Sequence, residues 1–140
     1  MGGGSAVAAI LVVEDDEQVR VLAESVLRDA GHSVIVAAGT EGSQALLETK
    51  ESVDVLFVDI RLGSDHEAGL KLAQITKESR PELCVLYTSG EAINDGMKAL
   101  FTKPSLFLPK PYTSEQLNKS ITFLLRSAKQ ELPPTLPQSN

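Results

Sequence analysis

The sequence predicts an α/β fold in which one five-stranded parallel sheet carries helices on both of its faces. Five short apolar runs alternate with segments in which apolar residues recur at helical spacing. Strands that alternate with helices imply right-handed crossovers and therefore a parallel sheet. The runs are apolar almost without interruption, as expected for strands that are buried on both sides.

The predicted strands are the short runs that are rich in apolar and β-branched residues. They lie at Ala8–Val13, Ser33–Ala37, Val53–Val58, Leu83–Tyr87 and Leu106–Leu108.

The predicted helices fill the intervals between these strands. The first follows Asp16, has apolar residues at helical spacing from Val19 to Ala30, and ends at Gly31. Weaker patterns predict helices at 41–50, 69–79 and 91–100, the last of them interrupted by Gly96. The final helix begins at a capping box, Thr113–Gln116, and carries one apolar stripe made of Leu117, Ile121, Leu124 and Leu125.

Length and composition agree with a single domain. The chain has 140 residues, of which 42% are hydrophobic, enough for one core. A net charge of −6 argues against general attraction to nucleic acid or anionic lipid. The single cysteine, Cys84, is predicted to be a core residue in a reducing compartment. We expect a cytoplasmic protein with protein partners, without direct nucleic acid contact or membrane insertion.

The two ends of the chain differ in composition from its middle. Residues 1–7 are Gly-rich and lack the basic segment of a secretory signal, while residues 129–140 are polar and Pro-rich. We expect a flexible leader at 1–7, one domain at 8–128 and a disordered tail at 129–140.

The stretch "ILVVEDDEQVR" places Glu14, Asp15 and Asp16 directly after the first predicted strand. Adjacent carboxylates repel one another, and a divalent cation is one reason for them to remain ionised together. The carboxyl ends of parallel strands meet at one edge of the sheet, where open α/β sheets place their chemistry. Asp59, the pair Thr88 and Ser89, and Lys110 follow other strands and are expected at the same edge.

This set of residues suits the transfer of a phosphoryl group. Carboxylate oxygens of Glu14, Asp15 and Asp59 are ligands that Mg²⁺ prefers. Asp59 can act as a carboxylate nucleophile toward phosphorus, with Lys110 stabilising the phosphoryl oxygens. Thr88 can donate its hydroxyl to the transferred group.

In this arrangement the chain resembles the receiver domain of two-component response regulators, in particular stand-alone, chemotaxis-regulator-like receivers. The resemblance covers about residues 8–128 and is carried by "VVEDD", "VDVLFVDIRL", "LYTSG" and "FLPKPY", in the family's order. It implies a flavodoxin-like, doubly wound sheet of five βα units. It also implies a protein that catalyses only its own phosphorylation and dephosphorylation, and so is not an enzyme acting on other molecules.

Carried over to this chain, the resemblance implies a role for seven residues. Asp59 would be the phosphoacceptor, Asp15 a direct Mg²⁺ ligand and Glu14 a ligand through water. The backbone carbonyl of Arg61 would complete the protein's share of the metal shell. Thr88 and Phe107 would be the switch residues, Lys110 would contact the phosphate, and the Lys110–Pro111 peptide would be cis. No organic cofactor is implied.

Other polar residues near these motifs have simpler interpretations. Asp16 is predicted to cap the first helix, where an acid accepts from exposed amides, rather than to bind metal. Asp65 and His66 are predicted to lie in a solvated loop, and His32 in a turn.

Three alternatives compare less well with the sequence. A dinucleotide-binding or flavodoxin-like protein needs an anion-binding loop where this chain has "EDDEQ". Phosphatases that resemble the haloacid-dehalogenase type have an Asp-x-Asp motif at the nucleophile. In this chain Arg61, not an Asp, stands two residues after Asp59. A receiver-like interaction module that is never phosphorylated remains open, although every residue implied for phosphorylation is present.

The expected partners are a sensor histidine kinase or a histidine phosphotransfer protein, together with a downstream protein of unknown identity. Two segments depart from the family pattern: "IRLGSDHEAG" after Asp59, which lacks a common proline, and "EAINDGMKALFTKPS" in the region of the fourth helix. The sequence leaves the path of the first segment and the choice of partner open.

Overall fold

The computed structural model describes residues 7–49 and 51–130, with side chains described as far as residue 128. Its strands are β1 (Ala9–Val13), β2 (Ser33–Ala37), β3 (Val55–Asp59), β4 (Cys84–Ser89) and β5 (Ser105–Pro109). All of them pair in parallel, in the order β2-β1-β3-β4-β5. The predicted sheet is confirmed, and its strand ends differ by at most two residues from those predicted.

In the described residues five helices accompany these strands: α1 (Glu17–Asp29), α2 (Thr40–Glu48), α3 (Ala68–Ser79), α4 (Asp95–Lys98) and α5 (Ser114–Gln130). The predicted end of the second helix, Lys50, lies outside the described residues, as do residues 1–6 of the leader and 131–140 of the tail. Helix α5 ends two residues beyond the predicted end of the domain. No helix in the described part of the chain is long and apolar enough to cross a membrane.

Two apolar cores lie on opposite faces of the sheet because successive strand residues point in opposite directions. In β1, Ile10 and Val12 pack into the core that contains Leu27 of α1 and Leu117 of α5. Leu11 and Val13 belong to the other core, with α3 residues such as Leu72. Each central strand is therefore buried on both sides, as its continuous apolar sequence predicts.

Side-chain caps begin the first and last helices as predicted. Asp16 Oδ1 accepts hydrogen bonds from Gln18 N and Val19 N, at 2.9 and 3.2 Å. At α5, Gln116 N donates to Thr113 Oγ1 and Thr113 N donates to Gln116 Oε1, which completes the capping box. Both caps satisfy amides that have no partner within the helix.

His32 and Cys84 take structural positions. His32 follows the turn after α1, and its Nδ1 accepts a hydrogen bond from Ala8 N at 3.1 Å. Burial lowers the pKa of the His32 imidazole, which favours the neutral form that can accept this bond. Cys84 is buried in the core, as predicted.

The prediction of a helix over 91–100 is wrong in its extent, because α4 contains only Asp95–Lys98. Asn94 Oδ1 accepts from Met97 N and starts the helix there. The amides of Leu100 and Phe101 then donate to carbonyls three residues back, a tight pattern that ends the helix. Gly96, with its low helix propensity, occupies the middle of this single turn.

Helix α3 begins in direct contact with the end of β3. Gly69 N donates to Ile60 O at 2.8 Å. A Cβ on Gly69 would overlap the carbonyl oxygen of Asp59 and lie 2.8 Å from Ile60 Cα. The absent side chain thus lets α3 approach the backbone that carries Asp59.

We predict that Gly69→Ala destabilises the fold by about 1–3 kcal/mol, since the added methyl must displace backbone rather than a flexible side chain. Chemical denaturation measures this change. Gly42→Ala is the matched control: it also lies in a helix, and its Cβ would meet only Ala37 Cβ at an ordinary 3.7 Å. Gly42→Ala should be neutral or stabilising by up to about 1 kcal/mol, and equal destabilisation by both variants would contradict the close approach at Gly69.

Candidate functional site

The carboxyl ends of β1, β3 and β4 and the residue after β5 surround one cavity of about 350 Å³. The site residues predicted from sequence that line it are Glu14, Asp15, Asp59, Arg61 and Lys110. The parallel topology brings them together because residues that follow neighbouring strands end at the same edge. Asp16, the cap of α1, also lines the cavity.

Lys110 connects the two buried carboxylates of this cavity. Its Nζ lies 2.7 Å from Asp59 Oδ2 and 2.8 Å from Glu14 Oε1. The side chains of Glu14 and Asp59 are only 4% and 8% exposed. Carboxylates at this depth require a nearby positive charge, and the ammonium of Lys110 supplies it.

Burial and these contacts change the pKa values of the groups involved. Burial raises the pKa of Glu14, against the opposing effect of the Lys110 ammonium. Burial alone would lower the pKa of Lys110, but its contacts with Asp59 and Glu14 outweigh this effect and raise the pKa. Burial, with the nearby Glu14 carboxylate, also raises the pKa of Tyr112 to about 12. Lys110 therefore stays cationic and Tyr112 neutral at physiological pH.

The acids of the cavity fit a divalent cation. Carboxylate oxygens of Glu14, Asp15 and Asp59 all lie within 4.8 Å of one another. Glu14 Oε1 is buried and, beyond its ion pair with Lys110, has no hydrogen-bond partner among the described residues. Mg²⁺ prefers hard oxygen ligands, and carboxylate oxygens at this spacing that still lack hydrogen-bond partners suit it. The structure thus brings together the three side chains that the sequence assigns to the metal.

The two predicted switch residues, Thr88 on β4 and Phe107 on β5, do not line the cavity. Thr88 is paired with Asp59 across the sheet, and its Oγ1 donates to Leu108 O at 2.6 Å. Phe107 packs against the ring of Phe101, with 6.4 Å between centroids. The Thr88 hydroxyl therefore faces a neighbouring carbonyl in this conformation. The Lys110–Pro111 peptide is cis, as the resemblance implies.

The cavity also contains side chains and glycines that the sequence did not assign to it. Gly63, Gly90 and Glu91 line its walls, and the side chain of Arg61 forms an ion pair with Glu91. Their positions depend on the paths of two loops, which residue periodicity does not predict. Ser89, which the sequence placed at this edge, lines the cavity as well.

The loop after β3 folds into a small hairpin that leaves Asp65 and His66 outside the cavity lining. Leu62 and Asp65 exchange both backbone hydrogen bonds, at 3.1 Å each, and Gly63 has a φ of 62° that favours glycine. Asp65 pairs with Lys71 at the surface. Gly63 N also donates to Asp15 Oδ2 at 2.8 Å, which ties the hairpin to the acidic wall.

The model of the response regulator receiver domain family matches residues 10–122. The chain belongs to this family. Receiver domains are the phosphoacceptor signalling modules of two-component systems, and they interact with histidine kinases or phosphotransfer proteins. The receiver assignment replaces the dinucleotide-binding and phosphatase alternatives that the sequence allowed.

Curated and solved relatives agree with this membership. The chain is 29% identical over 109 residues to the nitrogen assimilation regulatory protein NtrX of Azorhizobium caulinodans, covering 77% of this chain and 24% of NtrX. It is 29% identical over 117 residues to the transcriptional regulatory protein YrkP of Bacillus subtilis, covering 84% of this chain and 49% of YrkP. The chain thus spans half or less of the length of these relatives.

A crystal structure of a response regulator receiver protein from Sinorhizobium medicae shares the fold. Its TM-score is 0.78 at 27% identity, over 87% of this chain and 97% of the other.

We predict that millimolar Mg²⁺ raises the melting temperature of this receiver, because a ligand that binds only the folded state stabilises it by mass action. Asp15→Asn should abolish most of that gain by removing a carboxylate from the cluster. Asp16→Asn is the matched control, since an Asn side chain retains the cap of α1. Thermal melting across a Mg²⁺ titration measures all three proteins, and an unchanged wild-type melting temperature would contradict the cation site.

Proposed function

We propose that Asp59 accepts a phosphoryl group from a phosphohistidine, in a Mg²⁺-dependent reaction, and that the phosphorylated receiver signals to a downstream protein. The donor is a sensor histidine kinase or a histidine phosphotransfer protein. The observation that carries this proposal is the position of Asp59: it is buried at the end of β3, and Lys110 Nζ lies 2.7 Å from its Oδ2. This places a carboxylate nucleophile beside a cation that can stabilise phosphoryl oxygens.

The transfer requires one bond to form and one to break. A carboxylate oxygen of Asp59 forms a bond to phosphorus while the bond between phosphorus and the donor's imidazole nitrogen breaks. The other ring nitrogen of the donor carries a proton, so the imidazole leaves as the neutral base, and the phosphoryl group stays on Asp59 as an acyl phosphate. The residues around Asp59 contribute mainly by positioning and charge stabilisation, which is most of what phosphoryl transfer requires.

Each residue of the cavity has a proposed part in this reaction. Lys110 exchanges its contact with Asp59 for a phosphoryl oxygen. Glu14, Asp15, Asp59 and the backbone carbonyl of Arg61 would hold Mg²⁺, with Glu14 acting through water. When bound, Mg²⁺ supplies positive charge to the phosphoryl oxygens. The amide of Gly63 orients the Asp15 carboxylate by donating to Oδ2.

The proposed receiver comprises residues 8–128 and acts in the cytoplasm. We propose that its chemistry is limited to its own phosphorylation and dephosphorylation, as membership of the receiver family suggests.

Thr88 and Phe107 would transmit the effect of phosphorylation from the cavity to the protein surface. To donate to a phosphoryl oxygen, Thr88 Oγ1 must leave Leu108 O, its present acceptor. This movement opens space beside β5 that Phe107 can occupy by turning inward. Phe107 contacts Phe101, which stacks on Tyr87 at 4.0 Å between ring centroids. A change at Phe107 thus reaches the segment around α4 through aromatic packing.

Incubation with acetyl phosphate and Mg²⁺ should add one phosphoryl group at Asp59. The label should be lost in both acid and base, because acyl phosphates hydrolyse at both extremes of pH. Asp59→Asn should remain unlabelled, and intact-protein mass spectrometry measures both proteins. Asp54→Asn is the matched control, since Asp54 lies just before the opposite end of the same strand, and it should be labelled like the wild type.

Label that persists in Asp59→Asn would place the nucleophile elsewhere. A wild type that takes no label from any phosphodonor or kinase would favour the unphosphorylated interaction module.

A beryllofluoride mimic of the phosphoryl group should perturb amide NMR signals from Asp59 through Thr88 to Phe107 and residues 91–116. In Thr88→Val, which keeps the shape but lacks the hydroxyl, the perturbations should stop at the cavity. Thr88→Ser retains a hydroxyl and should restore their spread. If saturating mimic changes only the signals of cavity residues in the wild type, the proposed switch is contradicted. Asp59 can still be the phosphoacceptor in that case.

A further inference from the structure

The hydroxyl of Tyr87, on β4, has no part in the reaction or the switch described above. The side chain of Tyr87 is fully buried, with 0% of its surface exposed, and it directly precedes Thr88 along the strand. Its hydroxyl oxygen accepts a hydrogen bond from Thr102 N at 2.8 Å. Thr102 lies between α4 and β5, so this bond ties the segment after α4 to an inner strand of the sheet.

Aromatic contacts hold the same segment against the sheet. The ring of Phe101 stacks on the ring of Tyr87, with 4.0 Å between centroids and 22° between planes. Phe101 also packs against Phe107, which is paired with Tyr87 across β4 and β5. Two successive residues therefore bind to Tyr87, Phe101 by its ring and Thr102 by its amide.

The segment that carries these two residues has little regular structure. Helix α4 is a single turn that ends at Lys98, and Leu100 is 58% exposed. The backbone rejoins the sheet where Pro104 O accepts a hydrogen bond from Val85 N. Residues 99–103 therefore depend on side-chain contacts, such as those with Tyr87, to keep their position.

We propose that the Tyr87 hydroxyl is a latch that holds residues 99–103 in the unphosphorylated position, and that phosphorylation of Asp59 releases it. This rests on the proposed function, because the inward turn of Phe107 drives the release. When Phe107 turns inward it leaves Phe101, and Phe101 and Thr102 then move away from Tyr87 together. The latch opposes this movement and so limits activation in the absence of a phosphoryl group.

The burial of Tyr87 gives the latch its strength. Burial raises the pKa of the Tyr87 phenol, which therefore stays neutral. A buried hydroxyl that loses its hydrogen-bond partner destabilises the conformation in which this happens. One hydrogen bond of this kind changes a conformational equilibrium by about two- to tenfold. The latch is thus strong enough to bias the switch and weak enough for a phosphoryl group to overcome.

Hydrogen exchange of the Thr102 amide in the wild type tests the latch directly. The exchange should be slow in the unphosphorylated protein, because the N–H donates to a buried oxygen. Saturating beryllofluoride with Mg²⁺ should accelerate it at least about twofold, since release exposes the N–H to water. The amide of Cys84, which donates to Asp54 O at the opposite end of the sheet, is the internal control, and its exchange should not change.

Tyr87→Phe keeps the ring and removes the hydroxyl. Without the mimic, its Thr102 amide should exchange at least about twofold faster than in the wild type. It should also bind beryllofluoride about two- to tenfold more tightly, because the released conformation is already more populated. A titration followed by amide NMR measures this affinity.

Thr76→Val is the matched control. It removes another buried hydroxyl, whose Oγ1 donates to Leu72 O at 2.7 Å within α3. The control should keep the wild-type exchange rate at Thr102 and the wild-type affinity for the mimic.

Two results would overturn the latch while leaving the phosphoacceptor assignment intact: a Thr102 amide whose exchange does not respond to saturating mimic in the wild type, or wild-type affinity for the mimic in Tyr87→Phe. The second result would make the hydrogen bond purely structural. The wild-type measurement decides the question even if the variant fails to fold. A wild type that takes no label and shows no response of its cavity signals to the mimic would overturn the proposed function and the latch with it.

Discussion

The contact of one ammonium with two buried carboxylates is the constraint on which the site depends. Glu14 and Asp59 are almost fully buried, and Lys110 Nζ lies within 2.8 Å of both. Without that positive charge, two like charges at this depth would destabilise the fold or take up protons. The parallel sheet satisfies the constraint by bringing the ends of β1 and β3 and the residue after β5 to one edge. The order of the strands therefore determines which charged side chains meet at the site.

Two kinds of ion pair line this cavity, and they differ in depth. The Lys110 contacts are shielded from solvent and persist until another anion, such as a phosphoryl group, competes for the ammonium. The Arg61–Glu91 pair is about half exposed, so water competes with it continuously. The buried pairs therefore suit holding the Asp59 carboxylate in place until such an anion displaces it. The exposed pair joins the loops after β3 and β4 only weakly.

The strands and the residues at their carboxyl ends could be predicted because both follow from local patterns. Apolar runs mark the strands, and parallel topology then places Glu14, Asp59 and Lys110 at one edge. The Arg61–Glu91 pair could not be predicted, since it depends on the hairpin that Leu62 and Asp65 form. The error at α4 has a related cause. Apolar residues at 93–101 have helical spacing, but Asn94, Gly96 and the tight turn at Leu100 limit the helix to one turn.

The residues of the site lie far apart along the chain, so the ribosome synthesises them at different times. Asp59 and Lys110 are separated by 51 positions, and β5, which precedes Lys110, completes the sheet at its edge. A nascent chain that has released only β1 to β4 from the ribosome carries Glu14 and Asp59 without the ammonium of Lys110. Translation proceeds at about 5–20 residues per second, so this interval lasts for seconds. During it the incomplete chain lacks the ammonium that stabilises its two buried carboxylates in the finished sheet.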